Sequence, residues 1–111
     1  MSEARSVKTT KIMNRSGTRV IFEHPGTVRE AVEAAVAARV DLFGADLRNA
    51  DLRGVDLSST AFGGADLRGA DLSRADLRWS GFEDADFRAA NLGNADLRWA
   101  CFAGVDFRAA D

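Results

Sequence analysis

Two ADLRW pentads, residues 75–79 and 95–99, set Trp79 and Trp99 twenty residues apart, each directly behind an arginine, Arg78 and Arg98. Tryptophan and arginine are the side chains most enriched where proteins grip one another, since both combine a large contact area with a polar handle. The chemistry on offer is therefore recognition, and these four residues form the candidate interaction patch. The alternative is that the two indoles stack on each other and shield a turn. Covalent chemistry has fewer materials. Cys101 is the single cysteine, His24 the single histidine, and tyrosine is absent. One cysteine excludes an internal disulfide and any multi-cysteine zinc cluster, and no neighbour in the sequence activates its thiol. His24, just before Pro25, reads as a turn residue. The glycines of the second half follow a repeat phase and do not open a helix after a strand, so no phosphate-binding loop is indicated. No catalytic, cofactor-binding or metal-binding residue is assigned, and no enzymatic activity is expected.

The elements that must carry the patch belong to one small domain of 111 residues, with 15 basic against 17 acidic side chains and a formal charge of −2. A chain this short builds only a modest core, so regularity or association has to help. Residues 1–39 carry seven Lys/Arg against four Glu, and residues 40–111 carry eight Arg against thirteen Asp/Glu. A mildly acidic body thus bears a mildly basic head, which disfavours direct nucleic-acid binding. No apolar run reaches the length of a signal-peptide core or a membrane span, and cytoplasmic location is expected.

Residues 1–39 divide into a tail, a hairpin and a helix. Residues 1–7 lack periodicity and bulk and read as a frayed terminus. The next stretch, KTTKIMNRSGTRVIFEH, places turn residues Asn14 to Gly17 between two runs rich in β-branched and apolar side chains, which predicts a β-hairpin. Pro25 and Gly26 stop its second strand. Thr27 and Glu30 have the spacing of a reciprocal N-terminal cap. From there Val28, Ala31, Val32, Ala35 and Val36 recur at helical spacing, predicting a helix over 28–38 whose narrow stripe lies close against a flat surface supplied downstream.

From residue 40 the chain repeats every five residues: a small residue, usually Asp, then Leu or Phe, then two variable positions. Fourteen central residues run from Leu42 to Phe107 without a missed step. On an α-helix such a period would carry successive leucines around the axis, and on a strand it would alternate them between faces. Burying them together requires the chain to turn at every unit and wind into a coil. The number of units per turn follows from a second period. Residues 60–79 match the window shifted by twenty at eleven positions, against seven, seven and four for shifts of five, ten and fifteen. Four pentads per turn give a square section, with Trp79 and Trp99 on one side, one turn apart. Asp46, Asp66, Asp86 and Asp106 stack on another side beside Arg48, Arg68, Arg88 and Arg108, which offset their repulsion. A third side, with Ala61, Gly81 and Cys101, lacks that acidic column.

The pattern over residues 40–111 resembles the pentapeptide repeat family. The resemblance implies a β solenoid, a right-handed quadrilateral β-helix of about 3.5 coils, with the small and central residues inward and the helix of residues 28–38, itself preceded by the β-hairpin, as an N-terminal cap. No cofactor is expected. The function expected is a non-enzymatic scaffold that displays its outer surface to another protein. The alternative is a DNA-mimicking modulator or protector of DNA gyrase, a role the family brings in through members that present a dimeric acidic rod. The chain stops in mid-pattern at FRAAD, leaving an apolar rim at Leu92, Leu97, Phe102 and Phe107, and a homodimer through that end is expected.

Overall fold

The computed structural model describes residues 8–111; the frayed terminus expected over residues 1–7 lies outside the described residues. The hairpin pairs β1, Thr9–Met13, with β2, Val20–Pro25, antiparallel, with Thr9 opposite Pro25 and Ile12 opposite Phe22, and the register slips between Ile12 and Met13. Asn14 organises its turn. The carbonyl accepts from Gly17 N–H at 2.9 Å, and the side-chain oxygen accepts from the amides of Thr18 and Arg19 at 2.9 and 3.1 Å, the competition for backbone donors that favours Asn in turns. His24 departs from its expected place: it lies inside β2, its ring 6.2 Å from that of Phe22. Proline lacks an amide to donate and is tolerated at a strand end, so Pro25 closes β2 after His24 instead of turning the chain at it.

The helix α1 spans Val28–Ala37, with Ala38 as its C-cap, one residue short of the sequence expectation. Its start is closed reciprocally: Glu30 N–H donates to Thr27 Oγ1 at 3.2 Å and Thr27 N–H donates to Glu30 Oε1 at 3.0 Å. Ala31, Val32 and Ala35 are fully buried. Both strands of the hairpin, which precede α1, pack against it, so the surface it needs comes from upstream as well as from the coil. A single core runs from Ile12 and the helix stripe into Leu42 and Leu47. The hairpin is also joined to the coil through its backbone, with Asp46 N–H donating to Met13 O at 2.7 Å and Arg15 N–H to Gly44 O at 2.8 Å.

Beyond α1 the chain is a repeat β-helix. Parallel bridges link Asp46 to Asp66, Asp86 and Asp106 in succession, Asp51 to Asp71 and Asn91, Asp56 to Asp76 and Asp96, and Ala61 to Gly81 and Cys101. Every step is twenty residues, so one turn of the coil takes four pentads. Each turn hangs on the next by paired main-chain bonds, such as Leu67 N–H to Asp86 O at 2.8 Å and Asp86 N–H to Ala65 O at 2.9 Å. Corners are closed within each unit, as when Ala65 N–H donates to Phe62 O at 3.0 Å. The third residue of these corners is left-handed throughout: every fifth residue from Arg39 to Ala109 has φ between +57° and +72°. That is the type II pattern, which suits Gly and Asn and tolerates other side chains at a cost.

The corners turn the central side chains inward. Leu47, Leu52, Leu57, Phe62, Leu67, Leu72, Leu77, Phe82 and Phe87 are all buried, together with the small residue two places before most of them. Phe62, Phe82 and Phe102 stack at 5.2 and 5.4 Å along one wall of the core. Alanine or valine two places earlier is dictated by space, because its Cβ points into a corner already filled by the central side chain.

Candidate functional site

The outer surface divides into columns of residues twenty apart. In the acidic column Arg68 donates through Nε to Asp66 Oδ1 at 2.8 Å and through Nη2 to Oδ2 at 2.6 Å, and the Arg68 amide also reaches Oδ1 at 3.2 Å. The same bidentate pairing joins Arg48 to Asp46, Arg88 to Asp86 and Arg108 to Asp106. Each of the first three arginines also approaches the aspartate one turn on: Arg48 to Asp66 at 3.9 Å, Arg68 to Asp86 at 3.7 Å, Arg88 to Asp106 at 3.8 Å. The expected repulsion along the column is thus met by an interleaved line of guanidinium groups. Burial pushes the Asp66 carboxyl up, but the Arg68 hydrogen bonds and charge outweigh it and hold it below its ordinary value. The hydrogen bond from Arg108 lowers Asp106 to about 2. These carboxylates stay ionised at neutral pH and are already occupied, so they offer neither a general acid nor a free ligand.

The other two acidic columns behave alike. Arg53 clamps Asp51, Arg78 clamps Asp76 and Arg98 clamps Asp96, while Asp56 and Asp71 accept from the hydroxyls of Ser58 and Ser73 at 2.6 and 2.8 Å. Among the described residues no group of His, Cys, Asp and Glu is placed to hold a metal ion. No helix among them is long and apolar enough to cross a membrane.

The tryptophan edge differs. Trp79 and Trp99 stand at left-handed corners with φ of +63° and +60°, are 62% and 60% exposed, and stack with centroids 4.9 Å apart and planes 13° from parallel. A bulky side chain in that region costs on the order of 1–2 kcal/mol at each corner, whereas one aromatic pair gives back about 0.5–1.5 kcal/mol. Stacking alone does not explain why two tryptophans occupy corners where Gly or Asn would be comfortable. Of their companions, Arg98 lies over the Trp99 ring, 5.3 Å from its centroid. Both arginines are also anchored, Arg78 on Asp76 at 2.7 Å and Arg98 on Asp96 at 2.6 Å. The four residues of the sequence-defined patch do come together, with the indoles as its open part and the guanidinium groups as a fixed polar border.

Two features of the outer surface escape sequence reading, one in this column and one beside it. Arg39 and Ser59 continue it toward the helix, at twenty-residue steps before Trp79 and with φ of +57° each. Arg39 belongs to the residues just after α1, where the five-residue pattern has not begun, and only the corner conformation reveals it. The second feature is Phe43, 66% exposed, whose ring lies against the backbone of Gly63 so closely that a Cβ there would fall 3.1 Å from it. Its signal was a phenylalanine at an outward position facing two glycines one turn on. Cys101 is exposed and unpaired on the same side.

At the last turn the apolar rim is partly open: Leu97 is 37% and Phe107 39% exposed, and Leu92 and Phe102 are half-buried. Their counterparts one turn earlier, Leu72, Leu77, Phe82 and Phe87, are fully buried.

The chain matches a family model described as pentapeptide repeats, in eight copies, over residues 38–74 and 70–108. Among solved structures it is similar to a pentapeptide repeat protein from Nostoc Pcc 7120, with 40% identity over 73% of this chain and 75% of that one and a TM-score of 0.45. It is also similar to one from the cyanobacterium Cyanothece 51142, with 28% identity over 66% of this chain and 58% of that one and a TM-score of 0.39. A third similarity is to a pentapeptide repeat protein from the Arabidopsis thaliana thylakoid lumen, with 35% identity over 62% of this chain and 52% of that one and a TM-score of 0.39. No curated protein matches it.

Proposed function

The chain belongs to the pentapeptide repeat family, and from that premise we propose that it is a non-enzymatic protein–protein interaction scaffold whose contact surface is the Trp79/Trp99 edge. The scaffold in this reading is a right-handed coil of about 3.5 turns, capped at its N-terminal end by the hairpin and α1. The observation that carries the reading is the contrast in occupancy: charged side chains on the acidic columns are bound to one another, while two stacked indoles stand more than half exposed. Exposed, pre-stacked tryptophans lose little freedom on binding and bury a large area, which is the profile of an interface anchor. The test is capture of partners from the native host with wild-type protein and with a Trp79→Ala/Trp99→Ala double variant. Loss of one specific partner supports the proposal, and an unchanged set rejects it.

The gyrase-directed duplex mimic is disfavoured by the ion pairs. A mimic has to present unneutralised carboxylates, and seven of the aspartates stacked along the coil carry a bidentate arginine each. Unchanged gyrase supercoiling at high protein excess is the outcome expected. The proposal includes self-association through the rim of Leu92, Leu97, Phe102 and Phe107, whose partly open side chains, Leu97 and Phe107 above all, a second copy would cover. Sedimentation at tens of micromolar decides it, a stable monomer being the contrary result. Cytoplasmic residence belongs to the same proposal and is tested by fractionating the host.

A further inference from the structure

The column Arg39, Ser59, Trp79, Trp99 has a missing tooth. All four residues leave the coil at the same left-handed corner, so their side chains project from one edge at successive heights set by the spacing between turns, about 4.8 Å. Trp79 and Trp99 fill two consecutive heights and stack at 4.9 Å. One height nearer the helix stands Ser59, small and exposed, and one height further stands Arg39. The Trp79 indole has one face against Trp99, and its other face is turned toward the height that Ser59 leaves unfilled.

Ser59 and Arg39 also border two adjoining hollows, which lie on the helix side of Ser59 and are not lined by Trp79. One of about 350 Å³ is lined by Val36, Arg39, Asp41, Ser59, Thr60 and Ala61 among others. The second, of about 290 Å³, shares Val36, Arg39, Ser59 and Thr60 and adds Ser58. The charges are unevenly committed there. Asp41 accepts the Phe43 amide at 2.9 Å, and Asp56 accepts the Ser58 amide and hydroxyl at 3.0 and 2.6 Å. The Arg39 guanidinium has neither a hydrogen bond nor an ion pair among the described residues.

Resting on the reading of the tryptophan edge as a contact surface, we propose that the height of Ser59 is a socket for one flat aromatic side chain of a partner protein, stacked on the free face of Trp79, with a carboxylate beside that ring engaging Arg39. A ring seated there repeats the spacing already present between Trp79 and Trp99. The unpaired cation at the far side selects an acidic neighbour over a basic one. A stacked nucleobase is disfavoured because its phosphate would meet Asp56, which is held by Ser58 and by no arginine among the described residues, on the adjoining side of an acidic coil.

The chain has two indole N–H groups, which gives nuclear magnetic resonance one reporter on the socket and one beyond it. Titration with N-acetyl-phenylalanine, which carries both ring and carboxylate, is expected to shift the Trp79 indole and the Ser59 amide and to leave the Trp99 indole in place. N-acetyl-leucine is expected to shift neither. The uncharged amide of the phenylalanine probe, or the Arg39→Gln variant with the acid, is expected to bind about threefold more weakly, the value of one exposed charge pair. Ser59→Trp supplies the missing tooth from within and abolishes the response, and Trp79→Ala removes the stacking floor and serves if Ser59→Trp fails to fold. Shifts centred on Trp99, an undiminished response in Ser59→Trp or Trp79→Ala, or no shift up to the solubility of the probe each overturn the socket. Partner capture separates this proposal from the one it rests on: a partner lost with Trp79→Ala/Trp99→Ala but kept with Ser59→Trp retains the edge and removes the socket.

Discussion

The column of Asp46, Asp66, Asp86 and Asp106 and the edge of Ser59, Trp79 and Trp99 are built on the same coil with the same corners, yet they dispose of their functional groups in opposite ways. On the acidic column each carboxylate is clamped by the arginine two residues on, and in three of the four turns that arginine also leans toward the next carboxylate. On the tryptophan edge the indoles stack on each other, Arg98 lies over the Trp99 ring, and both keep most of their area open. Charged groups facing water gain from pairing locally, because the partner is supplied by the same pentad at no cost in loop closure. An indole finds at most a glancing guanidinium inside its own unit, as Trp99 does in Arg98, and most of its area can be covered only from the next turn or from another molecule. What the difference teaches is that exposure alone does not mark a contact surface here; exposure that internal partners leave mostly uncovered does.

The sharpest check is one that should damage both regions equally. Phe82→Ala removes a fully buried ring stacked between Phe62 and Phe102, and a loss of about 3–5 kcal/mol is expected in urea denaturation. Retained stability would mean that the coil does not hold the two columns in common. Next, Asp66→Asn replaces a carboxylate that is 3% exposed and bound by Arg68, with a loss of about 1–2 kcal/mol expected. Asp106→Asn, on an exposed pair, should lower the denaturation midpoint by much less. Equal effects at the two positions would deny that burial, and not pairing, sets the value of a rung.

Acid should separate the regions further. The folded carboxyls of Asp46, Asp66 and Asp86 are held below the ordinary 3.8, and those of Asp51, Asp96 and Asp106 fall to about 2. A depressed folded value favours the folded state wherever the unfolded carboxylate would be ionised, so the contribution is complete above about pH 4 and is lost as pH falls toward 2. Thermal midpoints are expected to be flat from pH 7 to about 4.5 and to fall below that, while the mutual contact of Trp79 and Trp99, which contains no titrating group, persists until the chain unfolds. The smallest effect is expected at the edge itself. Trp79→Asn/Trp99→Asn gives up one aromatic stack but relieves two left-handed corners, for a net change under about 1 kcal/mol by denaturation. A large destabilisation would turn the tryptophans into structural residues and leave the edge without its reason to bind.

Much of this was legible in the order of residues. A period of five can bury its leucines only in a coil, and the return of ADLRW after twenty residues fixes four units to a turn, because side chains at equal phase must meet along the axis. The hairpin turn at Asn14 and the Thr27/Glu30 cap are local hydrogen-bonding patterns and are equally readable. His24 was not, since its placement in β2 depends on strand pairing reaching as far as Pro25. Nor were Phe43 lying on Gly63 and the inclusion of Arg39 in the tryptophan column. Those relations join residues a full turn apart, or a helix end to a coil, and they arise only when the left-handed corners line up along one edge. The sequence by itself determined which side chains face inward and which share a column, because periodicity sets direction. Tertiary structure alone decided which outward groups are already occupied, because pairing depends on distances between turns that no single pentad contains.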